Sequence, residues 1–515
     1  MKLWDRKTFM YAMTSALAWG ITHLYAFMRL MVSHDSLSEF FAGAVLPNGY
    51  TVIDWKIALG RFMIPVYQKL FRGTVTAPWL IGMLFVLFLG FAVYVYASVF
   101  SLKRGLSIFL MAGILATNPA VFAATATFIN DLDCYMLALL MSGLAALCWK
   151  RDKPLFWLAG VFFVSMCMGF YACYLSFAIM AVMFISILDL LDHERTADVL
   201  IRGLKAIAMF LAGVALYMLM LKTVSSIADV QLVEEDYNSI TNLMSQTTRE
   251  NLFERSVIGY QQVWQALSRT LFGHGNSVNV LSLAVLLGGL AVLAVRMVRG
   301  RIPVCSALLT LLLLALMPIA MDLSMIAGSG WVHDLMKCAF AMVYLLVLLL
   351  IDPMLYMPGK AKRAAAAILA LGLGLMSWNY VVQANQIYVK KDLERQYTAS
   401  TMTRIMTQLE QREDYIPAQT TLLFAGDMNH QVKMRGELVA YWAYTGVSSS
   451  SPIQNWRQHE PYLEYMMGID VAYCGAEQRW ALVSSQQVKD MPIYPAEGSI
   501  QMIDDVLVVK VGPVE

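Results

Sequence analysis

The sequence predicts a polytopic α-helical membrane protein with about eleven transmembrane helices, outward interfacial helices and a small C-terminal α/β domain. Apolar residues make up 59% of the 515 residues, charged residues only 14%, and the mean hydropathy is +0.59. This composition is typical of an integral membrane protein, not of a soluble enzyme with an anchor. Basic residues also cluster in alternate gaps between the apolar segments. Because cationic flanks stay in the cytoplasm, the remaining gaps are predicted to face outward.

Each predicted span is an apolar segment long enough to cross the hydrocarbon core of a bilayer. The predicted spans are 9–32, 79–100, 105–128, 133–149, 155–172, 174–191, 203–221, 279–298, 303–321, 335–351 and 363–380. The basic clusters that mark cytoplasmic gaps are Lys2/Arg6/Lys7, Lys103/Arg104, Lys150/Arg151/Lys153, Arg195/Arg202/Lys205, Arg296/Arg299/Arg301 and Lys360/Lys362/Arg363. The first span resembles a signal peptide but is too long and lacks a small-x-small cleavage site, so we expect it to be retained.

The span order divides the chain into two predicted domains. An odd number of spans that starts in the cytoplasm places the C-terminus outside. Residues 1–384 are predicted to form the transmembrane domain, with outward loops at about 33–78 and 222–278, and residues 385–515 an outward α/β domain. In that domain Thr420–Asp427, Gly468–Cys474 and Gln501–Val511 predict strands.

The two long outward loops contain amphipathic patterns. The first carries apolar residues on helical faces beside charged ones, which is typical of segments that lie along a membrane surface. In the second, apolar residues recur at steps of three and four from Phe253 to Leu271, which predicts an interfacial helix. Asn118-Pro119 interrupts the third span, and a broken helix at membrane depth requires protein or a water-filled cavity around it.

Several function classes lack their sequence signals. The seven cysteines show no spacing typical of a metal site, and only Cys474 lies in the predicted outward domain. No phosphate-binding glycine loop, HExxH helix or GxSxG turn occurs in a credible context. No basic stripe with interleaved aromatic residues indicates a nucleic-acid partner. No cofactor is indicated, and a divalent metal is neither indicated nor excluded.

The first outward loop begins with a cluster of ionisable residues, His34, Asp35 and Glu39. A carboxylate at the boundary between lipid and water is partly desolvated, so its pKa rises and it can act as a general base. Asp35 is also suited to cap the helix that follows, with Glu39 in its first turn. Spacing alone leaves both roles open for Asp35.

Further candidates lie on the same side of the membrane. Arg61 follows Trp55 at helical distance and is suited to clamp a phosphate, although a snorkelling arginine is the commoner occurrence. Asp131 and Asp133 open the fourth span, where acids are functional candidates or helix caps. Tyr171, like Tyr174 in the same outer hairpin, can stack on a sugar or anchor the membrane interface.

The loop before the tenth span contains Asp322, His333 and Lys337. Lys337 is a cation on the outward side, which makes it an exception to the pattern of cytoplasmic basic residues. A lysine at the mouth of a span can bind a lipid phosphate. We therefore regard Lys337 as a candidate phosphate ligand, with Asp322 and His333 as candidate substrate-binding residues.

The order of these features resembles the serotype-converting O-antigen glucosyltransferases, the type II glucosyltransferase family of enteric bacteria and their phages. The resemblance covers about residues 1–385. The residues that carry it are the outward acid Asp35, the W-x4-GR-x3-P segment (Trp55, Gly60, Arg61, Pro65), Asn118-Pro119 ahead of Asp131/Asp133, and the aromatic outer hairpin. Two positions depart from the family pattern: Ser36 follows Asp35 where a second acid is frequent, and Ala172 follows Tyr171 where glutamine is frequent.

The resemblance implies a GT-C fold, an inner-membrane location and a periplasmic active site. Such enzymes transfer a sugar, here glucose, with inversion from a polyprenyl-phosphate carrier to a lipid-linked or lipopolysaccharide O-antigen saccharide. By resemblance, Asp35 takes the place of the catalytic base, with Glu39 as a second carboxylate if one is needed. Arg61 takes that of the arginine near the donor phosphate, and Asp133 or Asp131 that of the acid at the later span.

Two other function classes stay open at this stage. A transporter or flippase is favoured by the broken span, but no inverted repeat is visible and the charges gather at one face. Another GT-C activity, such as an O-antigen polymerase or ligase or a lipid A sugar transferase, has the same composition.

Overall fold

Long apolar helices make up most of the part of the chain that the structure describes. The computed structural model describes residues 5–33, 37, 50–233, 249–272, 277–327, 332–436, 438, 453 and 458–514. Within these ranges eight helices are long and apolar enough to cross a membrane, or nine if one bent pair is counted as a span. The predicted class, a polytopic helical membrane protein, agrees with this, whereas the count of eleven spans is not confirmed.

The helices are numbered here in chain order. Up to the outer hairpin they are α1 (Arg6–Gly20), α2 (Leu24–Phe27), α3 (Val52–Ala58), α4 (Met63–Tyr67), α5 (Pro78–Val99), α6 (Gly105–Thr117), α7 (Pro119–Thr127), α8 (Leu132–Arg151) and α9 (Pro154–Tyr171). The next are α10 (Leu175–Leu191), α11 (Thr196–Ala228), α12 (Arg249–Phe272), α13 (Ser277–Gly300), α14 (Val304–Met321), α15 (Leu323–Ala327), α16 (Met342–Ile351) and α17 (Lys360–Glu410). Short helical turns at 21–23, 68–72, 129–131, 172–174 and 334–341 connect some of them.

Interrupted helices explain why the structure has fewer helices of spanning length in its described ranges than the eleven spans that the sequence predicts. The first predicted span is divided into α1, a 3₁₀ turn and α2, so no helix in it is long enough to be counted. The predicted spans 155–172 and 174–191 form one helical run of 38 residues, Pro154–Leu191, with a break at Tyr171 (φ −161°, ψ 110°). A straight helix of that length would measure about 57 Å, almost twice the thickness of the hydrocarbon core.

Small residues let the membrane helices approach closely. A Cβ atom at Gly143 of α8 would lie only 2.9 Å from the ring of Tyr96 on α5. The Tyr96 hydroxyl forms a hydrogen bond of 2.8 Å with Ser142 Oγ beside that glycine. Close backbone approach and interhelical hydrogen bonds stabilise helix pairs where lipid supplies no hydrophobic force between them. The α5–α8 pair therefore forms part of a well-packed core behind the outer surface.

The predicted interruption of the third span is present. Helices α6 and α7 are bent by 44° at Asn118. Asn118 Nδ2 donates a hydrogen bond to the Leu115 carbonyl at 2.9 Å, and its Oδ1 accepts one from the Val121 N–H at 3.3 Å. Pro119 occupies the first position of α7, where the missing N–H is not needed. One residue thus satisfies the orphaned backbone groups of both helix ends.

Helix α17 runs without a break through position 385, where the sequence predicted a domain boundary. It spans 51 residues and leaves the apolar bundle as a polar continuation of the last span. The division of the chain into two domains at 384/385 stays a prediction.

A four-stranded sheet follows α17. Its strands are β1 (Thr421–Ala425), β2 (Ala472–Tyr473), β3 (Ile500–Ile503) and β4 (Val506–Lys510), in the order β2-β1-β4-β3. Strand β1 is parallel to both neighbours, and β3 and β4 are antiparallel.

The prediction of one strand over Gln501–Val511 was wrong, because this segment is a hairpin. Asp504 and Asp505 adopt positive φ values of 47° and 60°, as a two-residue hairpin turn requires. Helices α18 (His459–Pro461), α19 (Ala476–Ser484) and α20 (Gln486–Asp490) complete the described part of this region.

The predicted orientation can be tested with topology reporters. A reporter active only in the periplasm is expected to be active when fused after residue 75, 240 or 400 and silent after residue 152 or 300, because basic gaps remain cytoplasmic. Enzyme activity of each fusion in intact cells is the measurement, normalised to the amount of fusion protein. A silent fusion at 400 would place the sheet in the cytoplasm and contradict the predicted orientation.

Candidate functional site

The carboxylate of Asp131, just before α8, is held by side chains of segment 51–72. Lys56 Nζ of α3 lies 2.5 Å from Asp131 Oδ1, and Gln68 Nε2 donates a hydrogen bond to the same oxygen at 3.3 Å. The two charged side chains are only 4% and 3% exposed. Asp131 occupies the N-cap position of α8, but its side chain does not bond to the helix backbone. It therefore serves the ion pair and not the predicted cap.

Asp133, in the first turn of α8, is fully buried and is also held by segment 51–72. The Tyr67 hydroxyl donates a hydrogen bond to Asp133 Oδ2 at 2.9 Å, and Arg72 Nε lies 3.3 Å from the same oxygen. The backbone N–H of Cys134 donates to Oδ1 at 3.1 Å. Both oxygens of Asp133 are thus occupied. This geometry favours an anchoring role for Asp133 over the predicted catalytic one.

A π-helical turn positions the groups that contact these acids. Residues Gln68–Arg72 form it, and the Gly73 N–H closes it by donating to the Gln68 carbonyl at 2.7 Å. Gln68 and Arg72 are both buried by this turn. Gly73 then ends it with φ +80°, a conformation that L-residues rarely adopt. The local sequence therefore directs two polar side chains toward the start of α8.

Gly60 turns the chain so that Arg61 enters the same region. The Arg61 N–H donates to the Lys56 carbonyl and the Gly60 N–H to the Ile57 carbonyl, both at 2.8 Å. These two bonds are the Schellman motif that ends α3, and Gly60 has the positive φ (+79°) that the motif requires. The Tyr217 hydroxyl of α11 donates a hydrogen bond to the Gly60 carbonyl at 2.9 Å and fixes the turn.

The guanidinium of Arg61 lies over an aromatic side chain and has no carboxylate partner. It is 4.7 Å from the ring centroid of Tyr171, which stacks on Tyr135 at 4.8 Å. Within the described ranges no carboxylate lies within 4 Å of Arg61, although the charge of Asp131 acts on it. A snorkelling arginine would extend into water, whereas this one packs against a ring.

The charges around Asp131 and Asp133 do not cancel. Lys56, Arg61 and Arg72 all act electrostatically on Asp131. Two of these cations are neutralised by the two carboxylates, and Arg61 supplies the remaining positive charge. A fixed surplus charge beside an aromatic wall is suited to an anionic ligand.

The turn between α9 and α10 connects this cluster to a second one that includes Asp322 and Lys337. The Ser324 hydroxyl of α15 contacts Cys173 Sγ at 3.2 Å, and Cys173 is within electrostatic range of both Arg61 and Asp322. Asp322 follows α14 and is 1% exposed. Burial raises the pKa of the Asp322 carboxyl to about 6, partly offset by the charge of Lys337.

Lys337 lines a cavity of about 100 Å³ at the bend between α6 and α7. Its Nζ lies 2.9 Å from Asp334 Oδ1. The cavity wall includes Asn118, Gln262, Asp334, Lys337, Tyr344 and Tyr380. Lys337, the outward cation of the sequence prediction, thus lines a cavity beside the bend between α6 and α7.

The remaining predicted residues occupy different places. Trp55 packs against Tyr50, with ring centroids 5.6 Å apart, on α3. His333 directly precedes the helical turn at 334–341 that carries Lys337. In the described ranges no group of three or more His, Cys, Asp or Glu side chains could hold a metal ion.

His34, Asp35 and Glu39 lie outside the described residues, but the residues around them are well anchored. The Ser33 hydroxyl donates a hydrogen bond of 2.5 Å to the Thr127 carbonyl at the end of α7. Leu37 is fully buried, and its N–H donates to the Ser33 carbonyl at 3.1 Å. The chain therefore enters and leaves positions 34–36 beside the end of α7, four residues before Asp131.

The sequence analysis missed the polar partners of the two acids, namely Lys56, Tyr67, Gln68 and Arg72. Lys56 and Arg72 are cations in a gap predicted to face outward, as Lys337 is. Like Lys337, both depart from the pattern of cytoplasmic basic residues, and this departure is the sequence signal that distinguishes them.

The buried pair of Arg72 and Asp133 is expected to stabilise the protein only as a pair. Arg72→Met is expected to destabilise it by about 3–5 kcal/mol, because a buried carboxylate loses its cation. Arg72→Met combined with Asp133→Leu is expected to recover part of that loss. Thermal unfolding of the purified protein in detergent measures both effects.

The exposed pair of Lys205 and Asp152 provides the matched control. Its atoms are 2.8 Å apart, but the side chains are 48% and 51% exposed. Lys205→Met is expected to change the stability by about 1 kcal/mol or less. Equal losses in the Arg72 single and double variants would show that the buried charges are not coupled.

Comparison with known proteins assigns the chain to a family. The family model described as glucosyl transferase GtrII matches residues 25–351, which is more than half of the chain. The match includes both acids of α8, Arg61, Asp322 and Lys337, and it ends before α17. No curated protein matches the chain. Because the match covers more than half of the chain, the chain belongs to the glucosyl transferase GtrII family.

Proposed function

We propose that the chain is an inverting glucosyltransferase that uses a polyprenyl-phosphate carrier as its sugar donor. The acceptor is a saccharide of the O-antigen, and the reaction takes place on the periplasmic face of the bacterial inner membrane. The main support is Arg61, a cation with no carboxylate within 4 Å in the described ranges, which lies against Tyr171 near the outer ends of apolar helices. A donor that diffuses in the bilayer presents its phosphate at this level.

The proposed chemistry requires one cation and one base. The oxygen of the acceptor hydroxyl attacks the anomeric carbon of the sugar, and the bond from that carbon to the carrier phosphate breaks. The phosphate leaves with the electron pair of the broken bond, and Arg61 stabilises its negative charge through a bidentate contact. A carboxylate, which we propose to be Asp35, accepts the hydroxyl proton. Attack opposite to the leaving phosphate inverts the anomeric centre.

One observation favours transport as a second candidate function. Discontinuous helices occur in transporters, and α6 and α7 are bent by 44°. In transporters, however, the ionisable groups gather near the middle of the membrane. Here Asp131 precedes a span and Asp322 follows one, which favours chemistry at the outer surface.

Asp35→Asn tests the proposed base. Asparagine caps a helix about as well as aspartate but does not accept a proton, so turnover is expected to fall by about two orders of magnitude at normal protein level. The measurement is the transfer of radiolabelled sugar from polyprenyl phosphate to lipid-linked or lipopolysaccharide O-antigen by membranes containing the protein.

Asp54→Asn is the matched control in the same loop. Asp54 Oδ2 accepts a hydrogen bond of 2.6 Å from the Thr51 hydroxyl at the start of α3, a contact that asparagine can retain. Its effect is expected to be small. Loss of transfer in Glu39→Gln with normal transfer in Asp35→Asn would assign the base to Glu39. Normal transfer in both, and in Asp133→Asn, would favour transport.

Arg61→Lys tests donor binding. Lysine keeps the charge but lacks the planar fork, so the Michaelis constant for the lipid donor is expected to rise by about tenfold or more at normal protein level. Arg104→Lys is the control, since Arg104 also lies over a tyrosine ring, Tyr356 at 3.2 Å, but in a gap predicted to be cytoplasmic. A reduced level of folded Arg61→Lys protein with unchanged specific activity would instead identify a packing residue.

A further inference from the structure

Two concave spaces meet along α12. The first is the polar cavity beside Lys337, whose wall includes Gln262 of α12. The second is a chamber of about 260 Å³ between α12, α13, α14 and α16, lined by apolar residues such as Leu267, Leu293 and Met321. Leu267 lines both spaces. A ligand that occupied both would have a polar end and an apolar end.

Two buried oxygen acceptors without donors lie beside these spaces, one on Gln262 of the polar cavity and one on Asp322, which adjoins the apolar chamber in sequence. Within the described residues, neither Gln262 Oε1 nor Asp322 Oδ2 has a hydrogen-bond partner. Asp322 directly follows Met321 of the apolar chamber and is 1% exposed. Its Cβ lies 3.9 Å from where a Cβ would stand at Gly259, one turn before Gln262 on α12. The two acceptors therefore lie along the same part of α12.

Unpaired buried acceptors restrict the ligand that can satisfy them. Leaving such a group without a partner costs about 1–3 kcal/mol, and more for a charged one. A hydrocarbon has no hydrogen to donate, and a phosphate is an acceptor whose negative charge Asp322 repels. A sugar supplies several hydroxyl donors in a small volume. Gln262 Nε2 contacts Met325 Sδ at 3.5 Å, which directs Oε1 away from that sulfur.

We propose that Gln262 and Asp322 recognise hydroxyl groups of the sugar on the carrier. The carrier phosphate, which links the sugar to the isoprenoid chain, then lies between the two, and the first part of that chain occupies the apolar chamber. This inference rests on the proposed function, because it takes the donor to be a polyprenyl-phosphate sugar. Gln262 and Asp322 are then determinants of donor specificity, because a carrier without its sugar leaves the acceptor oxygens of both residues unpaired.

Two probes that differ only in the sugar test the proposal. The full-length protein is reconstituted in lipid nanodiscs, and the dissociation constants of polyprenyl phosphate and of polyprenyl-phosphate glucose are measured by intrinsic tryptophan fluorescence. The wild-type protein is expected to bind the glucosylated carrier more tightly. The ratio of the two constants is the readout, because the fraction of folded protein cancels in it.

Gln262→Leu removes the acceptor at similar size and is expected to reduce this ratio by about fivefold, the effect of one hydrogen bond. Asp322→Leu is expected to reduce it by about tenfold or more, because its bond is charge-assisted. Asp322→Asn keeps an acceptor oxygen and is expected to retain part of the preference. Gln261→Leu is the matched control. Gln261 is next to Gln262 in the sequence, but its own side chain is exposed on α12.

Each outcome decides the question. An unchanged ratio in Gln262→Leu and Asp322→Leu overturns the inference but leaves the proposed function standing. Equal weakening of both probes overturns it too, because the residues would then act on the phosphate or on folding. A wild-type protein that binds both carriers equally shows that water satisfies the two acceptors and overturns the inference. A wild-type protein that binds neither carrier overturns the proposed function together with the inference.

Discussion

The end of the helical bundle at which α8 begins depends on the buried ion pairs that join it to segment 51–72. Lys56 with Asp131 and Arg72 with Asp133 lie among side chains that are at most 4% exposed. Charges at such positions are strongly disfavoured alone and tolerated when paired and hydrogen-bonded. The segment between the two cations therefore has one favourable position on the bundle. Arg61 lies within that segment, so its place over Tyr171 follows from the pairs on either side.

This arrangement separates the groups that hold the site from the groups that are free to act. Lysine and glutamine side chains hold Oδ1 of Asp131, and tyrosine and arginine side chains hold Oδ2 of Asp133. Arg61, by contrast, meets the face of an aromatic ring, which attracts a cation without neutralising it. Its charge stays available to a ligand. A site that binds a leaving phosphate needs such a cation, fixed in place before the ligand arrives.

Local sequence patterns predicted those structural features that depend only on residues close together in the chain. Asn118-Pro119 predicted the bend, because both residue types act on the backbone beside them. The pairing of Lys56 with Asp131 spans 75 positions, and no periodicity connects residues so far apart. The hairpin at Asp504-Asp505 was missed because aspartate twice in succession is a weaker turn signal than a glycine-containing pair. The continuation of α17 was missed because its apolar pattern ends before the helix does.

Helix α17 gives the C-terminal sheet a part in the membrane domain. Met402 and Ile405 of this helix pack in one buried cluster with Leu422 and Leu507 of the sheet, and the same cluster contains Val32 and Leu37. These last two residues stand on either side of positions 34–36. A chain cut after α17 would lose the strand residues that share this buried cluster with Val32 and Leu37. The sheet therefore helps to bury one residue on each side of positions 34–36, although it lies some four hundred residues farther along the chain.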